Sequence, residues 1–170
     1  MGLFSESLNS FDDLFSHQLE DLYDAELQLT EAMPKMADAA SAGDLRNAFN
    51  THLMETRDQV KRLEQVFQRL GKSPKRQSCP AMKGLIKEGQ EAISATGDPS
   101  VKDAALIASA QRVEHYEIAA YGTLRTLARQ VGLNDVASLL QKTLDEEGSC
   151  DKKLTAIAES HINQQAAAAR

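Results

Sequence analysis

Tryptophan is absent from the chain, aromatic residues make up only 5% of it, and its 170 residues include only four prolines and nine glycines. An all-β protein needs turn residues about every eight to twelve positions, which this composition does not supply. Ala, Leu, Glu, Gln and Lys, which favour helices, recur in almost every window. We therefore expect an all-α protein. A chain of this length fits one domain, residues 1–170, and is long enough to bury a core without disulfides.

The sequence also has few cysteines and no long apolar segment. Cys79 and Cys150 are too few for a secreted disulfide framework and lack Cys-x-x-Cys spacing, so we expect two reduced thiols. No run approaches about eighteen apolar residues, and the N-terminal segment lacks the basic start of a signal peptide. The net charge of −6 argues against binding to nucleic acid or to an anionic membrane. These absences predict a cytoplasmic protein.

Four long segments repeat apolar residues with the period of an amphipathic helix. Ser10-Phe11-Asp12-Asp13 is a capping start for the first segment, Asp98-Pro99 is one for the third, and Asn134 is expected to cap the fourth. Pro34 predicts a kink or one lost hydrogen bond near the end of the first helix, but not its termination. The Ala-rich tail, residues 163–170, is expected to fray. The predicted helices span residues of about 10–40, 44–70, 99–131 and 134–162.

Short turns join the first helix to the second and the third to the fourth, so each pair is expected to form an antiparallel hairpin. Residues 71–98 connect the hairpins and contain a basic loop followed by a short amphipathic segment around Met82 and Ile93. This connection of roughly 27 residues can travel the ~40 Å length of a long helix. The sequence therefore predicts a ferritin-like four-helix bundle with one long crossover that contains a short extra helix.

The apolar stripe of three predicted helices is interrupted by acids. Glu26 lies seven residues after Leu19 and therefore faces the same way. By the same periodicity, Glu114 and Glu117 point inward on the third long helix, and Glu147 points inward on the fourth. Each of these acids occupies a position where the pattern predicts a hydrophobic side chain.

The second helix contributes a histidine and an acid to the same region. His52 lies on the inward line of that helix, while Glu55 lies about 60° round the helix toward the flank. Counting from the two hairpin turns places Glu26 level with Glu55, and Glu117 level with Glu147, to within ~3 Å. Four helices are thus predicted to deliver polar side chains to one layer of the bundle.

Several ionised carboxylates cannot share a buried layer unless protons or cations neutralise them. A solvated or ion-paired side chain would explain any one of these acids alone, but their agreement in height and direction favours a metal site. A set rich in oxygen with at most one imidazole suits hard or borderline ions. We therefore expect two divalent metal ions, with iron preferred over manganese.

Five motifs carry a resemblance that covers the chain from about residue 11 to residue 159: Tyr23-Asp24-Ala25-Glu26, His52-Leu53-Met54-Glu55-Thr56, Arg62-Leu63-Glu64-Gln65-Val66-Phe67, Glu114-His115-Tyr116-Glu117 and Asp145-Glu146-Glu147. In order and spacing they resemble the YciE/YciF family of bacterial stress-associated proteins in the ferritin-like superfamily. The resemblance implies a rubrerythrin-like di-metal bundle that forms a homodimer. By motif match it supports as metal ligands Glu26, Glu55, Glu114, Glu117 and Glu147.

The sequence departs from the commoner Glu-x-x-His pattern of that superfamily in two helices. On the second helix the order is reversed, His52-x-x-Glu55, and Gln59 follows one turn later. On the last helix no histidine follows Glu147; Cys150 and Asp151 stand three and four residues after it. Asp151 is either a substitute ligand or a surface acid, and Cys150 is better explained by packing.

Other polar residues near the predicted layer have ordinary explanations. His115 points about 100° away from its neighbour Glu114, so a surface or supporting role fits it better than a ligand role. Tyr23, Tyr116 and Tyr121 are best explained as packing residues.

Two functions of different class follow from these features. The first is a metal-dependent, ferroxidase-like oxidoreductase that acts on O2 or hydrogen peroxide in a bacterial stress response. The second is a non-enzymatic stress-associated or partner-binding bundle that uses polar core residues only for specificity. The metal content of the purified protein distinguishes the two.

Overall fold

The structure is a computed structural model that describes residues 8–169, and it is built from helices. No β-strand occurs within those residues. The last long helix continues through one π-helical turn, Ala158–Ile162, into a short final helix. The helices are α1 (Phe11–Ala39), α2 (Gly43–Arg69), α3 (Pro80–Ser94), α4 (Pro99–Gln130), α5 (Asn134–Ile157) and α6 (Asn163–Ala168).

The four long helices pack as two hairpins joined by a crossover. α1 packs against α2 and α4 packs against α5, while α2–α5 and α1–α4 contacts close the bundle. α3 lies within the crossover and packs on both α1 and α4. The predicted fold, a four-helix bundle with one long crossover that contains a short helix, is confirmed.

Local hydrogen bonds explain most of the helix boundaries. The Ser10 hydroxyl accepts from the amide of Asp13 at 3.0 Å, and the Asp13 carboxylate accepts from the amide of Ser10 at 2.9 Å, which completes a capping box. The Asp98 carboxylate accepts from the amide of Ser100 at 2.8 Å at the start of α4. α1 continues through Pro34 without a break, as the pattern predicted.

Two local expectations differ from the structure. Asn134 is the first residue of α5 and not its cap, because backbone hydrogen bonds around Gly132, which has a φ of 78°, complete the turn before it. The tail was expected to fray, yet residues 163–168 form α6, which packs against α4. Burial of Ile162 in the preceding π-helical turn anchors this segment, and its alanines favour a helix.

Two clusters of buried apolar side chains lie toward opposite ends of the bundle. On α2, Phe49 belongs to one cluster and Leu63 to the other. Between them α2 buries polar groups that include His52 and Gln59. The apolar clusters therefore flank a polar layer at mid-height. Among residues 8–169, no helix has the length and apolar character needed to cross a membrane.

A buried carboxylate from α4 caps the start of α2. α2 is preceded by Ala42, whose side chain cannot accept a hydrogen bond. Asp103, only 2% exposed, accepts instead from the amides of Ser41 and Ala42, both at 2.8 Å. Its negative charge at a helix N-terminus is favourable, so this contact ties the first hairpin to α4.

We expect Asp103→Ala to lower the free energy of unfolding by about 1–3 kcal/mol, because it leaves the amides of Ser41 and Ala42 without their charged acceptor. Denaturant unfolding with an unchanged m-value measures the loss. Glu31→Ala removes an exposed acid from α1 and is the control, expected to change stability by less than about 0.5 kcal/mol. Equal effects of the two variants would contradict this role of Asp103.

Candidate metal centre

Four long helices contribute buried polar side chains to the mid-height layer. α1 contributes Glu26, α2 His52, α4 both Glu114 and Glu117, and α5 Glu147, and none of the five is more than 3% exposed. Ligand atoms of the last four lie within 4.8 Å of one another. The distances and donor types make this cluster capable of holding a metal ion.

His52 stands between the acids of α4 and α5. Its Nε2 atom lies 3.2 Å from Glu114 Oε1 and 3.6 Å from Glu147 Oε2. Its Nδ1 atom lies 3.4 Å from Glu55 Oε2, and the Glu55 side chain is 44% exposed. Glu55, expected as a ligand, therefore lies at the rim of the layer and contacts the cluster through the outer nitrogen of His52. The flank direction of Glu55 on α2 explains this position.

Hydrogen bonds from neutral side chains orient two of the acids. The Tyr121 hydroxyl donates to Glu26 Oε1, and the Gln59 amide donates to Glu147 Oε1. The same amide nitrogen of Gln59 lies 3.2 Å from a carboxylate oxygen of Glu146. Each acid thus has one oxygen fixed by a donor while its other oxygen remains directed to the cluster.

The Glu146 carboxylate has a separate role beside the layer. It binds the Arg62 guanidinium through two contacts, at 2.8 and 3.1 Å. Arg62 also donates to the hydroxyl of Thr143. This pair joins α2 to α5 next to the cluster without placing a positive charge inside it.

Burial and mutual repulsion favour protons on the acids. Burial raises the pKa of Glu26 to about 7, although the hydrogen bond from Tyr121 and the charge of His52 act against it. Burial also raises the pKa of Glu147 to about 10 and that of Glu117 well above its usual value. Burial lowers the pKa of His52, but interactions with Cys150 and Glu114 outweigh it and hold that pKa well above its usual range.

Several buried atoms of the layer have no hydrogen-bond partner among residues 8–169. They are Glu26 Oε2, His52 Nε2, Glu114 Oε2, both carboxylate oxygens of Glu117 and Glu147 Oε2. An unpaired buried polar group costs free energy of about 1–3 kcal/mol, and more for a charged one. A bound cation satisfies such oxygens and neutralises their charge together. The residues present therefore fit a divalent metal ion.

The two residues considered as ligands after Glu147, Cys150 and Asp151, lie in different surroundings. Asp151 accepts a hydrogen bond from Gln111 at 3.0 Å and lies 3.5 Å from His115, which is 71% exposed. Both belong to the α4–α5 surface contact and not to the buried cluster. Cys150, expected to be a packing residue, is buried and has its sulfur beside His52 and Glu114, within 4.8 Å of a ligand atom of each.

Comparisons with known proteins assign the chain to a family. Residues 10–167 match the family described as domain of unknown function DUF892. The chain is 48% identical over 161 residues to protein YciF of Escherichia coli strain K12, which covers 94% of this chain and 97% of that protein. The chain belongs to the DUF892 family. The resemblance to the YciE/YciF proteins is thereby confirmed.

Solved structures of similar proteins share the fold. The crystal structure of the E. coli stress protein YciF superposes with a TM-score of 0.88 at 49% identity, covering 92% of this chain and 99% of that one. YcfI from Rhodopseudomonas palustris superposes with a TM-score of 0.86 at 45% identity, covering 89% and 97%. A protein from Xanthomonas campestris pv. campestris matches at 22% identity with a TM-score of 0.67, covering 92% and 99%, and shows the fold alone.

Gln59 was not assigned a role from the sequence and Tyr121 was interpreted as a packing residue, yet both donate hydrogen bonds to acids of the cluster. Gln59 lies seven residues after His52 and therefore faces inward with it, a signal that periodicity provides. Tyr121 lies seven residues after Glu114, so its inward direction was also readable. Its partner Glu26 is 95 residues away, and no local pattern identifies that contact.

We expect the metal-free protein to lose stability as the pH rises from about 6 to about 9. Glu26 and Glu147 have pKa values of about 7 and about 10 in the folded chain, against an ordinary 4.5, so the unfolded state releases their protons first. The contribution of these two acids to folding stability is fully present below pH 4.5. It is lost as the pH rises through their folded-state pKa values. His52 acts in the same direction because its pKa is also raised. The melting temperature should fall by about 5 °C or more; a flat profile would contradict this expectation.

Glu147→Gln should weaken that pH dependence, and without metal it should melt no lower than the wild type at about pH 8. The amide does not titrate, so the folded state no longer has to keep a proton that the unfolded state releases, and the amide oxygen still accepts the hydrogen bond from Gln59. Glu31→Gln, an exposed acid on α1, should leave the profile unchanged. A clear loss of stability confined to Glu147→Gln would show that Glu147 is half of a structural ion pair.

Proposed function

We propose that this protein is a di-metal carboxylate protein that oxidises bound iron with O2 or hydrogen peroxide, in the manner of a ferroxidase. The observation that carries the proposal is the buried layer of four glutamates and one histidine, in which five carboxylate oxygens have no hydrogen-bond partner among residues 8–169. Structural polar networks are normally satisfied by their own hydrogen bonds, and this one is not.

Two sets of ligand atoms, which share His52 and Glu114, can each hold a metal ion. One set combines His52, Glu114, Glu117 and Glu147, and the other combines His52, Glu114 and Cys150. Carboxylate oxygens with one imidazole suit Fe(II) or Mn(II), and a carboxylate has two oxygens with which it can bridge adjacent ions. Glu26 would complete the layer from α1 through the oxygen that Tyr121 does not fix.

When bound, two ferrous ions would supply two electrons and become ferric; with two protons, these electrons reduce one hydrogen peroxide to two waters or one O2 to one hydrogen peroxide. The protein's own groups perform the supporting chemistry. Tyr121 and Gln59 hold Glu26 and Glu147 in fixed orientations. Burial of the layer excludes water from the reacting position.

The relatives suggest a cellular setting. The E. coli relative YciF is described as a stress protein. By its similarity we propose that this chain acts in the bacterial stress response. We also propose that it is cytoplasmic and forms a homodimer, as expected from its composition and from the family resemblance.

Metal-free protein incubated anaerobically with Fe(II) should bind about two ions per chain and release protons as it does so. The protons come from Glu26, Glu147 and His52, whose pKa values are raised in the absence of metal. Elemental analysis gives the stoichiometry, and a pH indicator in weak buffer gives the proton count. Binding of less than about half an ion per chain would exclude a di-metal site and favour the partner-binding bundle.

Fe(II)-loaded protein exposed to O2 or peroxide should form ferric iron about tenfold or more faster than free Fe(II) in the same buffer. The near-ultraviolet absorption of ferric iron follows the reaction. Glu26→Ala and Glu114→Ala should each abolish the acceleration while helical circular dichroism is retained, because the flanking apolar clusters drive folding. Exposed Glu31→Ala is the control. If it loses as much activity as the buried variants, the assignment is wrong.

A further inference from the structure

An apolar chamber of about 60 Å³ lies beneath α3, between that helix and the bundle. Its walls are largely aliphatic, aromatic and thioether side chains from all four long helices and α3, among them Met33, Phe49 and Ile93. Exposed Lys35 and Gln90 lie at its outer margin. The chamber therefore extends from the surface between α1 and α3 into the bundle.

The inner wall of the chamber is formed by members of the polar cluster. His52, Glu114 and Cys150 line it, and all three are buried. His52 Nε2 and Glu114 Oε2 have no hydrogen-bond partner within the described chain, residues 8–169. An apolar space thus ends at unpartnered metal-ligating atoms.

A missing side chain on α3 helps to keep this space open. Gly89 is buried and lines the chamber, where the helix pattern would accept a larger residue. A Cβ placed at Gly89 would meet the sulfur of Met36 at 3.6 Å, an ordinary van der Waals distance. The glycine is therefore not required by crowding of the backbone, and a larger side chain there would project into the chamber.

A second space reaches the same histidine from the opposite side and has a different character. This cleft of about 430 Å³ lies between α2 and α5 and is lined by His52 and Cys150 together with charged side chains, among them Glu55, Lys142 and Lys153. Ions and hydrogen-bonding molecules fit a charged, hydrated cleft. The chamber under α3 offers such molecules few partners, so they lose hydrogen bonds on entry.

We propose that the chamber under α3 is a binding site for dioxygen and delivers it to the face of the cluster formed by His52, Glu114 and Cys150. Small apolar molecules enter dry apolar cavities that exclude water, as xenon does. Hydrogen peroxide, which loses hydrogen bonds there, reaches the cluster through the α2–α5 cleft. This inference rests on the proposed function, and it assigns the two oxidants to different routes.

Xenon binding to the metal-free protein tests the chamber without any reaction. In the wild type, a xenon NMR titration should show one saturable site. Gly89→Leu should weaken binding by about tenfold or more because the new side chain fills the chamber. Gly84→Leu is the matched control, since Gly84 lies on an exposed part of α3 with no atom of residues 8–169 within 4 Å of a Cβ built there. Ala32→Leu fills the chamber from α1 and serves if Gly89→Leu does not fold.

Oxidation of Fe(II)-loaded protein tests the route. Gly89→Leu should slow oxidation by O2 about tenfold while its reaction with peroxide stays within about twofold of wild type. Gly84→Leu should match the wild type with both oxidants. Absence of saturable xenon binding, or equal slowing of both oxidants, would overturn the dioxygen site while the ferroxidase proposal stands. Xenon binding without any accelerated oxidation would overturn the proposed function, and the oxygen route with it.

Discussion

The rest of the structure depends on the cost of burying several carboxylates together. Glu26, Glu117 and Glu147 are removed from water at mid-height of the bundle, where desolvation and mutual repulsion oppose their ionised forms. Apolar clusters on both sides of the layer supply the favourable free energy that holds it closed. In the absence of a bound cation, bound protons neutralise these carboxylates. The same layer therefore lowers the stability of the metal-free fold and favours the binding of a cation.

Much of this arrangement can be read from the sequence because it follows helical periodicity. Heptad spacing directs Glu26, Glu114 and Glu147 inward, and residue counts from two short turns place them at one level. Helical periodicity did not decide whether Glu55 reaches the buried cluster. Its angle on α2 pointed to the flank, and the structure places it at the rim, where it contacts His52 from outside.

Contacts between distant helices could not be predicted in the same way. The spacing places Cys150 and Asp151 about one turn after Glu147 on α5. In the structure Asp151 instead contacts Gln111 and His115 of α4 at the surface. The capping of α2 by Asp103 depends on how α4 passes the first hairpin, which no local pattern specifies. The same holds for the bond from Tyr121 to Glu26. Each of these interactions is set by packing angles between helices, and sequence spacing within one helix contains no information about them.

The division of the layer between the two hairpins bears on how the protein is made. Glu26 and His52 belong to the first hairpin, while Glu114, Glu117 and Glu147 follow the crossover. A chain emerging from the ribosome therefore carries one inward carboxylate and one imidazole until Glu114 of α4 has been synthesised. The layer is complete only after Glu147 of α5 has been added. The full set of candidate ligands thus exists only late in synthesis.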